Sequence, residues 1–398
     1  MRIVLGVAGG IAAYKACELL RLLTESGHQV RVVPTAAALD FVGAATWAAL
    51  SGQPVTASPW DDVHEVPHVR LGQEADLVVV APATADLMAR AAAGISDDLL
   101  TAVLLTARCP VIFAPAMHTE MWEHPATRAN VATLRARGCL VVDPAAGRLT
   151  GKDSGTGRLP EPAELLEVAR RVLARGMAGL AADLAGRTVL ISAGGTREEL
   201  DPVRYLGNWS TGRQGYALAR TAVSRGAEVT LVAANCELPD PAGVKVIRVR
   251  SALELRAEML AAAPQADAIV MTAAVADYRP AVRSEHKIKK TGAAPEPISL
   301  TENPDIVRDL VAARQRAGQV IVAFGAETGD VLANGRAKLA RKGSDLLVVN
   351  QVGNGLAFGT ADNEAVVLGA DGSEASLPRG PKEQIADGIW DLVSARLA

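Results

Sequence analysis

The sequence is poor in aromatic residues and in cysteine, and it contains no long apolar run. Only 3% of the 398 residues are aromatic, and the four cysteines stand alone at positions 17, 109, 139 and 236. Cysteines so spaced form neither a C-x-x-C pair nor the framework of a disulfide-rich protein, so we expect reduced thiols and no zinc site. No apolar stretch approaches the roughly 20 residues of a membrane-spanning helix.

The chain also lacks a strong charge of either sign. Its formal net charge is -3, which argues against a nucleic-acid binder that works through a global basic field. The first residues enter an apolar strand without the basic and apolar leader of a secretory signal. We therefore expect a cytoplasmic protein with small-molecule ligands.

Length and composition indicate two folded domains. Hydrophobic residues make up 49% of the chain and charged residues 21%, which is typical of a globular protein, and 398 residues exceed one ordinary core. A linker rich in small residues at 177–182 divides the chain into domains 1–182 and 183–398. In both halves short apolar strands alternate with helical stretches, a pattern that predicts α/β domains with parallel sheets.

The hydrophobic pattern predicts most elements individually. In the first half it predicts strands at 30–33, 77–81, 111–114 and 140–142 and helices at 12–25, 36–50, 97–106, 126–136 and 161–175. In the second half it predicts strands at 229–233, 268–272, 320–324 and 346–349, a hairpin over 365–377 and a helix over 381–396.

Each half begins with a glycine-rich turn between a strand and a helix. The first is G-V-A-G-G-I-A-A at 6–13; the second is S-A-G-G-T-R at 192–197, continued by N-W-S-T-G-R-Q-G at 208–215. Such turns expose backbone N–H groups at the positive end of a helix dipole, where phosphates bind. Neither contains G-x-G-x-x-G, so a pyridine-nucleotide reductase is the weaker alternative.

Two segments resemble a zinc-binding motif and a phosphate-binding P-loop, but neither meets all the requirements of its motif. H-E-V-P-H at 64–68 matches the H-E-x-x-H zinc pattern, but Pro67 is incompatible with the helix that this pattern requires. G-R-L-T-G-K-D at 147–153 is one residue short of a P-loop and ends in Asp153 instead of Ser or Thr. We expect His68 on a loop, as a candidate acid–base group.

Longer motifs resemble two enzyme families in succession. A-P-A-T-A-D-L at 81–87 and P-A-M-H-T-E-M-W at 115–122 are similar to the flavin-containing cysteine decarboxylases. D-P-V-R-Y-L-G-N-W-S-T-G at 201–212, A-A-V-A-D-Y at 273–278, K-I-K-K at 287–290, N-P-D-I-V at 303–307 and F-G-A-E-T at 324–328 resemble phosphopantothenate–cysteine ligases. The order is that of the bifunctional coenzyme A biosynthesis family, which implies two doubly wound Rossmann-like domains: a flavodoxin-like flavoprotein domain, then a nucleotide-binding ligase domain with a C-terminal hairpin.

For the first domain the resemblance implies FMN-dependent conversion of phosphopantothenoylcysteine to 4′-phosphopantetheine, by oxidative decarboxylation and reduction. His68 and His118 are the implied catalytic residues, and Lys152, Asp153, Gly155 and Thr156 the implied substrate-binding ones. FMN would contact Gly9, Gly10, Ile11, Ala12, Thr35, Ala81, Thr84, Ala116 and Met117. Three residues depart from the family pattern: His118 replaces an asparagine, Ala8 a serine, and Gly151 the proton-donating cysteine.

For the second domain the resemblance implies CTP-dependent ligation of cysteine to 4′-phosphopantothenate through an acyl-cytidylate. Asn208 and Lys287 would be catalytic, Arg204 would bind the substrate, and Asp277 would read the ribose or hold Mg²⁺. The implied CTP-binding residues are Ser210, Thr211, Gly212, Met271, Thr272, Ala273, Asp277, Lys287, Pro304, Asp305, Ile306, Val307, Phe324, Lys338 and Lys342.

The resemblance also implies a homo-oligomer with trimeric decarboxylase contacts and dimeric ligase contacts. Because the family cysteine is missing, a second hypothesis stays open. In it the ligase is active, and the flavoprotein domain binds flavin but is weak or inactive and serves in oligomerisation.

Overall fold

The computed structural model describes residues 1–55, 66–149, 153–289, 297–327, 331–351 and 362–397. The chain forms two compact units, Met1–Ala182 and Asp183–Ala398. Among the described residues, no helix combines the length and the apolar character needed to cross a membrane.

The first unit contains seven strands and nine α-helices within its described part. The strands are β1 (Arg2–Val7), β2 (Gln29–Pro34), β3 (Leu77–Ala83), β4 (Val111–Pro115), β5 (Leu140–Val141), β6 (Ala145–Arg148) and β7 (Ser154–Arg158). The helices are α1 (Ala13–Glu25), α2 (Ala36–Leu39), α3 (Ala44–Ser51), α4 (Pro67–Glu74), α5 (Ala85–Ala93), α6 (Leu99–Thr106), α7 (Thr119–Glu123), α8 (Pro125–Ala136) and α9 (Pro162–Arg175).

Five of these strands form a parallel sheet in the order β2-β1-β3-β4-β5. Every residue of β3 is buried, as expected for a central strand covered by helices on both faces. One apolar cluster lies on each side of the sheet. The carboxyl ends of β1, β3 and β4 therefore lie at one edge, where ligands bind in open α/β sheets.

Two predictions for this unit need correction. The single helix predicted over 36–50 is two helices, α2 and α3, separated by residues 40–43, with Gly43 as the N-cap of α3. His68 lies on helix α4 and not on a loop, because Pro67 occupies the first helical position, where its missing N–H is tolerated. The antiparallel pairing of β6 with β7 was not predicted from the sequence. His64 and Glu65 lie outside the described residues.

The second unit contains twelve strands and five α-helices within its described part. The strands are β8 (Thr188–Gly194), β9 (Arg197–Glu199), β10 (Tyr205–Gly207), β11 (Glu228–Ala234), β12 (Val244–Val249), β13 (Ala268–Met271), β14 (Tyr278–Pro280), β15 (Leu300–Glu302), β16 (Val320–Glu327), β17 (Leu346–Gln351), β18 (Asp362–Gly369) and β19 (Glu374–Pro381). The helices are α10 (Arg213–Ser224), α11 (Ala252–Ala262), α12 (Ile306–Ala312), α13 (Val331–Lys342) and α14 (Lys382–Leu397).

Eight strands form its main sheet, in the order β12-β11-β8-β13-β16-β17-β18-β19. The first six are parallel, and β18 and β19 form the antiparallel hairpin that the sequence predicts. Two short ribbons, β9 with β10 and β14 with β15, were not predicted, because each strand has only three residues and no clear alternation. Both units are thus doubly wound α/β domains, as predicted.

Candidate active sites

The first unit holds a cleft of about 540 Å³ at the carboxyl edge of its sheet. Three segments predicted from the sequence converge there: the first glycine-rich turn, the end of β3 and the segment after β4. The predicted residues that line the cleft are Gly9, Gly10, Ile11, Ala12, Thr84, Ala116, Met117 and His118. Residues that the sequence analysis did not assign to the site complete the lining: Tyr14, Lys15, Pro82, Ala85, Met121, Arg148, Leu149, Gly157, Arg158 and Leu159.

The glycine-rich turn lies tightly against its surroundings. A Cβ atom at Gly9 would lie 2.5 Å from the Cβ of Ala37 and 2.8 Å from its carbonyl carbon, so only glycine fits without a shift. Ala12 opens α1 without a capping side chain, and no acidic residue occupies the first turn of that helix. The turn therefore presents a helix N-terminus that no carboxylate of its own first turn neutralises, which suits a phosphate.

The resemblance implies that Thr35 and Ala81 contact FMN, but neither residue lines the cleft. The Oγ1 atom of Thr35 accepts a hydrogen bond from the N–H of Ala38 at 3.3 Å and so caps α2. Ala81 is fully buried in the core of the sheet. Thr35 adjoins the site through α2, whose Ala37 lies against Gly9, and through its N–H, which donates to the carbonyl of Val7 at 2.9 Å.

The two candidate catalytic histidines lie in different surroundings. His118 lines the cleft, directly before α7, and its Nδ1 lies 4.0 Å from an Oε2 of Glu120. His68 lies on α4, where its carbonyl accepts a hydrogen bond from Thr106, and it does not line the cleft. The Nδ1 atom of His68 is buried and has no hydrogen-bond partner among the described residues. In the described part of the chain, His118 therefore lines this cleft and His68 does not.

The β6–β7 hairpin forms one wall of the cleft. Gly157 accepts a hydrogen bond from the N–H of Met117 at 2.9 Å, and a side chain at Gly157 would collide with the Met117 carbonyl. Gly155 packs in the same way on Thr119, and Thr156 pairs with Ala146. Of the predicted substrate residues, Gly155 thus lies beside the segment that carries His118. The carbonyl of Asp153 accepts a bond from Leu149 at the hairpin turn; Lys152 and Gly151 lie outside the described residues.

In the second unit, two glycines of the glycine-rich turn pack closely against the side chain of Cys236. Gly194 and Gly212 have φ values of 85° and 76°, and a Cβ atom at either would lie 2.5 Å from the Sγ of Cys236. Burial raises the pKa of the Cys236 thiol to about 11. Gly212 is the N-cap of α10, and its N–H donates to the Oγ of Ser210 at 3.4 Å. Ser210 and Thr211 are exposed directly before this helix, as expected for a phosphate-binding turn.

Side-chain hydrogen bonds join the loops around this turn. Thr272 donates to the carbonyl of Ser192, and the N–H of Ala273 donates to the Ser192 hydroxyl at 3.1 Å. Asn208 donates through Nδ2 to the carbonyl of Val275 at 3.0 Å. Met271, at the end of β13, is 4% exposed and belongs to the core. The loops after β10 and β13 therefore meet at the carboxyl edge of the second sheet.

Lys287 is exposed. The backbone of the next residue, Ile288, is bonded to the ion pair of Asp201 with Arg204. Asp201 has a fully buried carboxylate, which accepts from Nε and Nη2 of Arg204 at 3.0 and 2.5 Å and from the N–H of Ile288 at 3.1 Å. Arg204 also donates to the carbonyl of Ile288 at 2.8 Å. The Arg204 guanidinium and these N–H donors hold the pKa of Asp201 far below its usual range. Arg204, assigned from the sequence to the substrate, is engaged here in positioning the neighbour of Lys287.

Three of the remaining nucleotide candidates belong to different layers of the domain. Ile306 and Val307 are buried in the apolar layer on one face of the sheet, whereas Phe324 packs against the layer on the opposite face. Pro304 and Asp305 precede α12, where Asp305 accepts from the N–H of Arg308 at 3.3 Å.

The two lysines of α13 also have different neighbours. Lys342 donates to Asp305 at 2.8 Å. The Nζ of Lys338 lies 3.3 Å from the position that a Cβ atom would take at Gly325 in β16.

Asp277 is the candidate metal ligand. It is exposed, and its carbonyl accepts from the N–H of Asn303 at 2.8 Å. Within the described residues, no group of three or more His, Cys, Asp or Glu side chains comes together in a way that could hold a metal ion. The described residues could therefore coordinate Mg²⁺ through a single carboxylate, and not through a cluster of three or more protein ligands.

Each unit thus defines a doubly wound domain with a glycine-rich turn at the carboxyl edge of its sheet, and known families match both. The family described as Flavoprotein matches residues 1–174, and the family described as DNA/pantothenate metabolism flavoprotein C-terminal domain matches residues 184–397.

Curated relatives span the whole chain. The coenzyme A biosynthesis bifunctional protein CoaBC of Mycolicibacterium smegmatis is 58% identical over 406 residues, which cover 100% of this chain and 98% of the relative. The protein of the same name from Vibrio cholerae is 43% identical over 400 residues, again covering 100% and 98%. A crystal structure of the C-terminal domain of a CoaBC protein is 32% identical, covers 55% of this chain and 98% of that chain, and has a TM-score of 0.47.

The chain therefore belongs to the family of bifunctional coenzyme A biosynthesis enzymes, in which a flavoprotein decarboxylase domain precedes a ligase domain. The resemblance drawn from the sequence motifs is confirmed.

Proposed function

We propose that the second unit ligates cysteine to 4′-phosphopantothenate with CTP and that the first unit converts the product, phosphopantothenoylcysteine, to 4′-phosphopantetheine with FMN. Both reactions belong to the cytoplasm, where the four thiols stay reduced. The observation that carries the proposal is the pair of glycine-rich turns at the carboxyl edges of two parallel sheets, each closed too tightly for a side chain at Gly9 or at Gly212.

In the ligase unit the positions of Asn208 and Lys287 support the proposed chemistry. Nucleotidyl transfer is catalysed mainly by positioning and by neutralising the charge that develops on phosphate. Lys287 supplies an exposed ammonium next to a chain segment that Asp201 and Arg204 fix. Asn208 reaches over the loop after β13 and keeps its side-chain oxygen for the acyl intermediate. Mg²⁺, brought with the triphosphate, would take Asp277 as a single protein ligand.

In the flavoprotein unit the cleft suits FMN. The start of α1 receives the phosphate, and the backbone of Gly10, with Thr84 close by, lines the way to the segment after β4. A bound flavin supplies reversible two-electron oxidation of the substrate thiol, which makes loss of the carboxylate possible. His118 is placed to bind that carboxylate. Its imidazole differs in shape from the amide that the family pattern has there, so its geometry of recognition also differs.

We propose a homo-oligomer in which a neighbouring subunit completes the flavin site. The absence of His68 from the cleft of its own protomer supports this arrangement. Exposed apolar side chains in and beside the short ribbons of the ligase unit support contacts between ligase domains; they include Trp209, which is 88% exposed, Tyr278 and Val282. Sedimentation velocity of the full chain tests the assembly, and a monomer would contradict it.

Two assays of the purified full chain test the reactions separately. Pyrophosphate release with 4′-phosphopantothenate and cysteine should be supported by CTP and not by ATP. The visible spectrum should show bound flavin, and phosphopantothenoylcysteine should release carbon dioxide. Bound flavin without carbon dioxide release would favour the second hypothesis, in which the flavoprotein domain serves in oligomerisation. Oxidation of NADPH would instead favour a reductase.

A further inference from the structure

The charges on the wall of the flavoprotein cleft have one sign. Among the described residues that line it, the formally charged ones are Lys15, Arg148 and Arg158, and His118 adds a fourth basic group. A cleft lined in this way attracts polyanions and raises their local concentration. The substrate under the proposed function carries two anionic groups, a phosphate and a carboxylate.

A single carboxylate outside the cleft holds two of these cations. Oε1 of Glu161 accepts from the Nζ of Lys15 and from Nη2 of Arg158, at 2.9 Å in each case. The Lys15 side chain is 15% exposed and comes from α1, whereas Arg158 ends β7 and Glu161 precedes α9. The bridge therefore ties three segments that are distant in sequence, and it leaves a net positive charge because two cations share one anion.

Gly147 provides the space that Arg158 occupies. A Cβ atom at Gly147 would lie 2.7 Å from Nη1 of Arg158, and Gly147 has a φ of 146°. The guanidinium thus lies over the backbone of the opposite strand of the hairpin. Its own strand is fixed one residue earlier, where Gly157 bonds to Met117. The backbone next to Arg158 is consequently fixed by the Gly157–Met117 hydrogen bond, and the Arg158 guanidinium is fixed by Glu161.

We infer that Glu161 is a positioning residue, which holds Lys15 and Arg158 at the cleft so that they bind an anionic group of the decarboxylase substrate. The inference rests on the proposed function of this unit. Lys15 has three donors and Arg158 has five, so both keep N–H groups beyond those that Glu161 accepts. Without the carboxylate the two cations repel each other, and Arg158 loses the contact that orients its head.

The test compares Glu161→Gln with Glu18→Gln in the full-length, flavin-loaded protein. Glu18 is exposed on α1, the helix that carries Lys15, and its substitution changes the net charge by the same amount. We expect Glu161→Gln to raise KM for phosphopantothenoylcysteine about tenfold and to leave kcat within about threefold, the pattern of lost ground-state binding. Glu161→Asp should give a smaller increase. Glu18→Gln should keep the wild-type KM.

A second readout does not depend on turnover. Binding of 4′-phosphopantetheine, followed by the change that it causes in the flavin absorbance spectrum, should weaken about tenfold in Glu161→Gln if the cations bind the phosphate. If they bind the carboxylate, this affinity stays constant, and the rise in KM persists with pantothenoylcysteine, which lacks the phosphate. Either result supports the inference.

Lys15→Met should also reduce the effect of Glu161→Gln in the double variant, because Glu161 acts through Lys15.

Three outcomes would overturn the inference. They are an unchanged KM in Glu161→Gln, an equal rise in Glu18→Gln, and a loss of FMN affinity in place of substrate affinity, which would assign the cations to the cofactor. A merely structural role would lower the melting temperature and the active fraction without changing KM. A wild-type protein that releases no carbon dioxide overturns the proposed function and the inference with it, whereas normal wild-type turnover with an unaffected variant overturns the inference alone.

Discussion

The cations of the two units are held in different ways. In the flavoprotein unit Lys15 is largely buried and Arg158 lies over a glycine, and both are bonded to Glu161. In the ligase unit Lys287 is exposed, and the ion pair of Asp201 with Arg204 fixes only the backbone of its neighbour.

This difference affects how much side-chain freedom each site loses when a ligand binds. The first unit presents its charges in a fixed arrangement, so little side-chain freedom remains to be lost when an anion binds. If Lys287 binds the nucleotide as proposed, the second unit must order this exposed side chain on binding, which costs about 0.5–1.5 kcal/mol for an immobilised long side chain. Under the proposed function, the preformed cations of the first unit would bind the decarboxylase substrate without rearrangement, whereas Lys287 would adapt to a nucleotide that leaves after each turnover.

The largest effect is expected from Lys287→Ala, which tests whether one exposed cation carries the ligase step. Loss of a group that stabilises developing phosphate charge lowers the rate by about 10²–10³-fold, so pyrophosphate release should fall by that factor. Flavin content should be unchanged. Lys289→Ala is the matched control, because Lys289 is exposed two residues further on. Full ligase activity in Lys287→Ala would show that this residue is not catalytic.

Gly9→Ala tests the closely packed turn of the first unit. The new Cβ would meet Ala37 at 2.5 Å, and overpacking of this kind costs about 1–3 kcal/mol. We expect loss of bound flavin and of carbon dioxide release, with pyrophosphate release retained. Gly43→Ala is the control, since no atom lies within 4 Å of a Cβ at Gly43 and its φ is -65°. Retention of flavin in Gly9→Ala would mean that α2 can move away.

Asp201→Asn tests whether the backbone of the Lys287 segment needs its ion pair. The substitution removes the charge that Arg204 and the N–H of Ile288 share. A displacement of about 1 Å can cost about 100-fold in rate, so we expect pyrophosphate release to fall between tenfold and 100-fold. Asp240→Asn breaks a more exposed pair, with Arg248, in the same unit and should have no such effect. Equal activity of the two variants would contradict a positioning role for Asp201.

The smallest effect concerns Cys236 and alkaline pH. Burial raises its pKa to about 11 from 9.0, so the unfolded chain loses this proton more readily than the folded one. The resulting stabilisation is complete below pH 9 and is lost as the pH rises towards about 11, with a slope of at most about 1.4 kcal/mol per pH unit. Urea denaturation from pH 8 to 10.5 should show a steeper loss in the wild type than in Cys236→Ser. Parallel curves would assign the alkaline loss to other groups.

The sequence was a good guide wherever function depends on short contiguous segments. The turn at 6–13 and the segment at 115–122 line the cleft because each directly follows a buried parallel strand. Lys15 and Tyr14 were missed although they follow Ile11 by one helical turn, a spacing that places them on the same face. Arg158 could not have been found from spacing, since the hairpin register that brings it over Gly147 depends on tertiary packing.

Tertiary neighbours could not be predicted for the same reason. Arg204 is bonded to Asp201 and Ile288, partners that no local pattern indicates, and His68, which was expected on a loop, lies on α4. Ile306 and Phe324 lie on opposite faces of the sheet. Strand periodicity shows that a residue is buried, but it does not show which layer of a doubly wound domain covers it.

The amino-acid sequence by itself determined the α/β class, the alternation of elements, the two glycine-rich turns and the family, because these depend on local hydrophobic periodicity and on glycines at fixed points. Only the tertiary structure decided which charged groups share a site. Glu161 and Lys15 are 146 residues apart, and no local pattern encodes their contact. Ion pairs form where packing brings side chains together, and packing is a property of the whole domain.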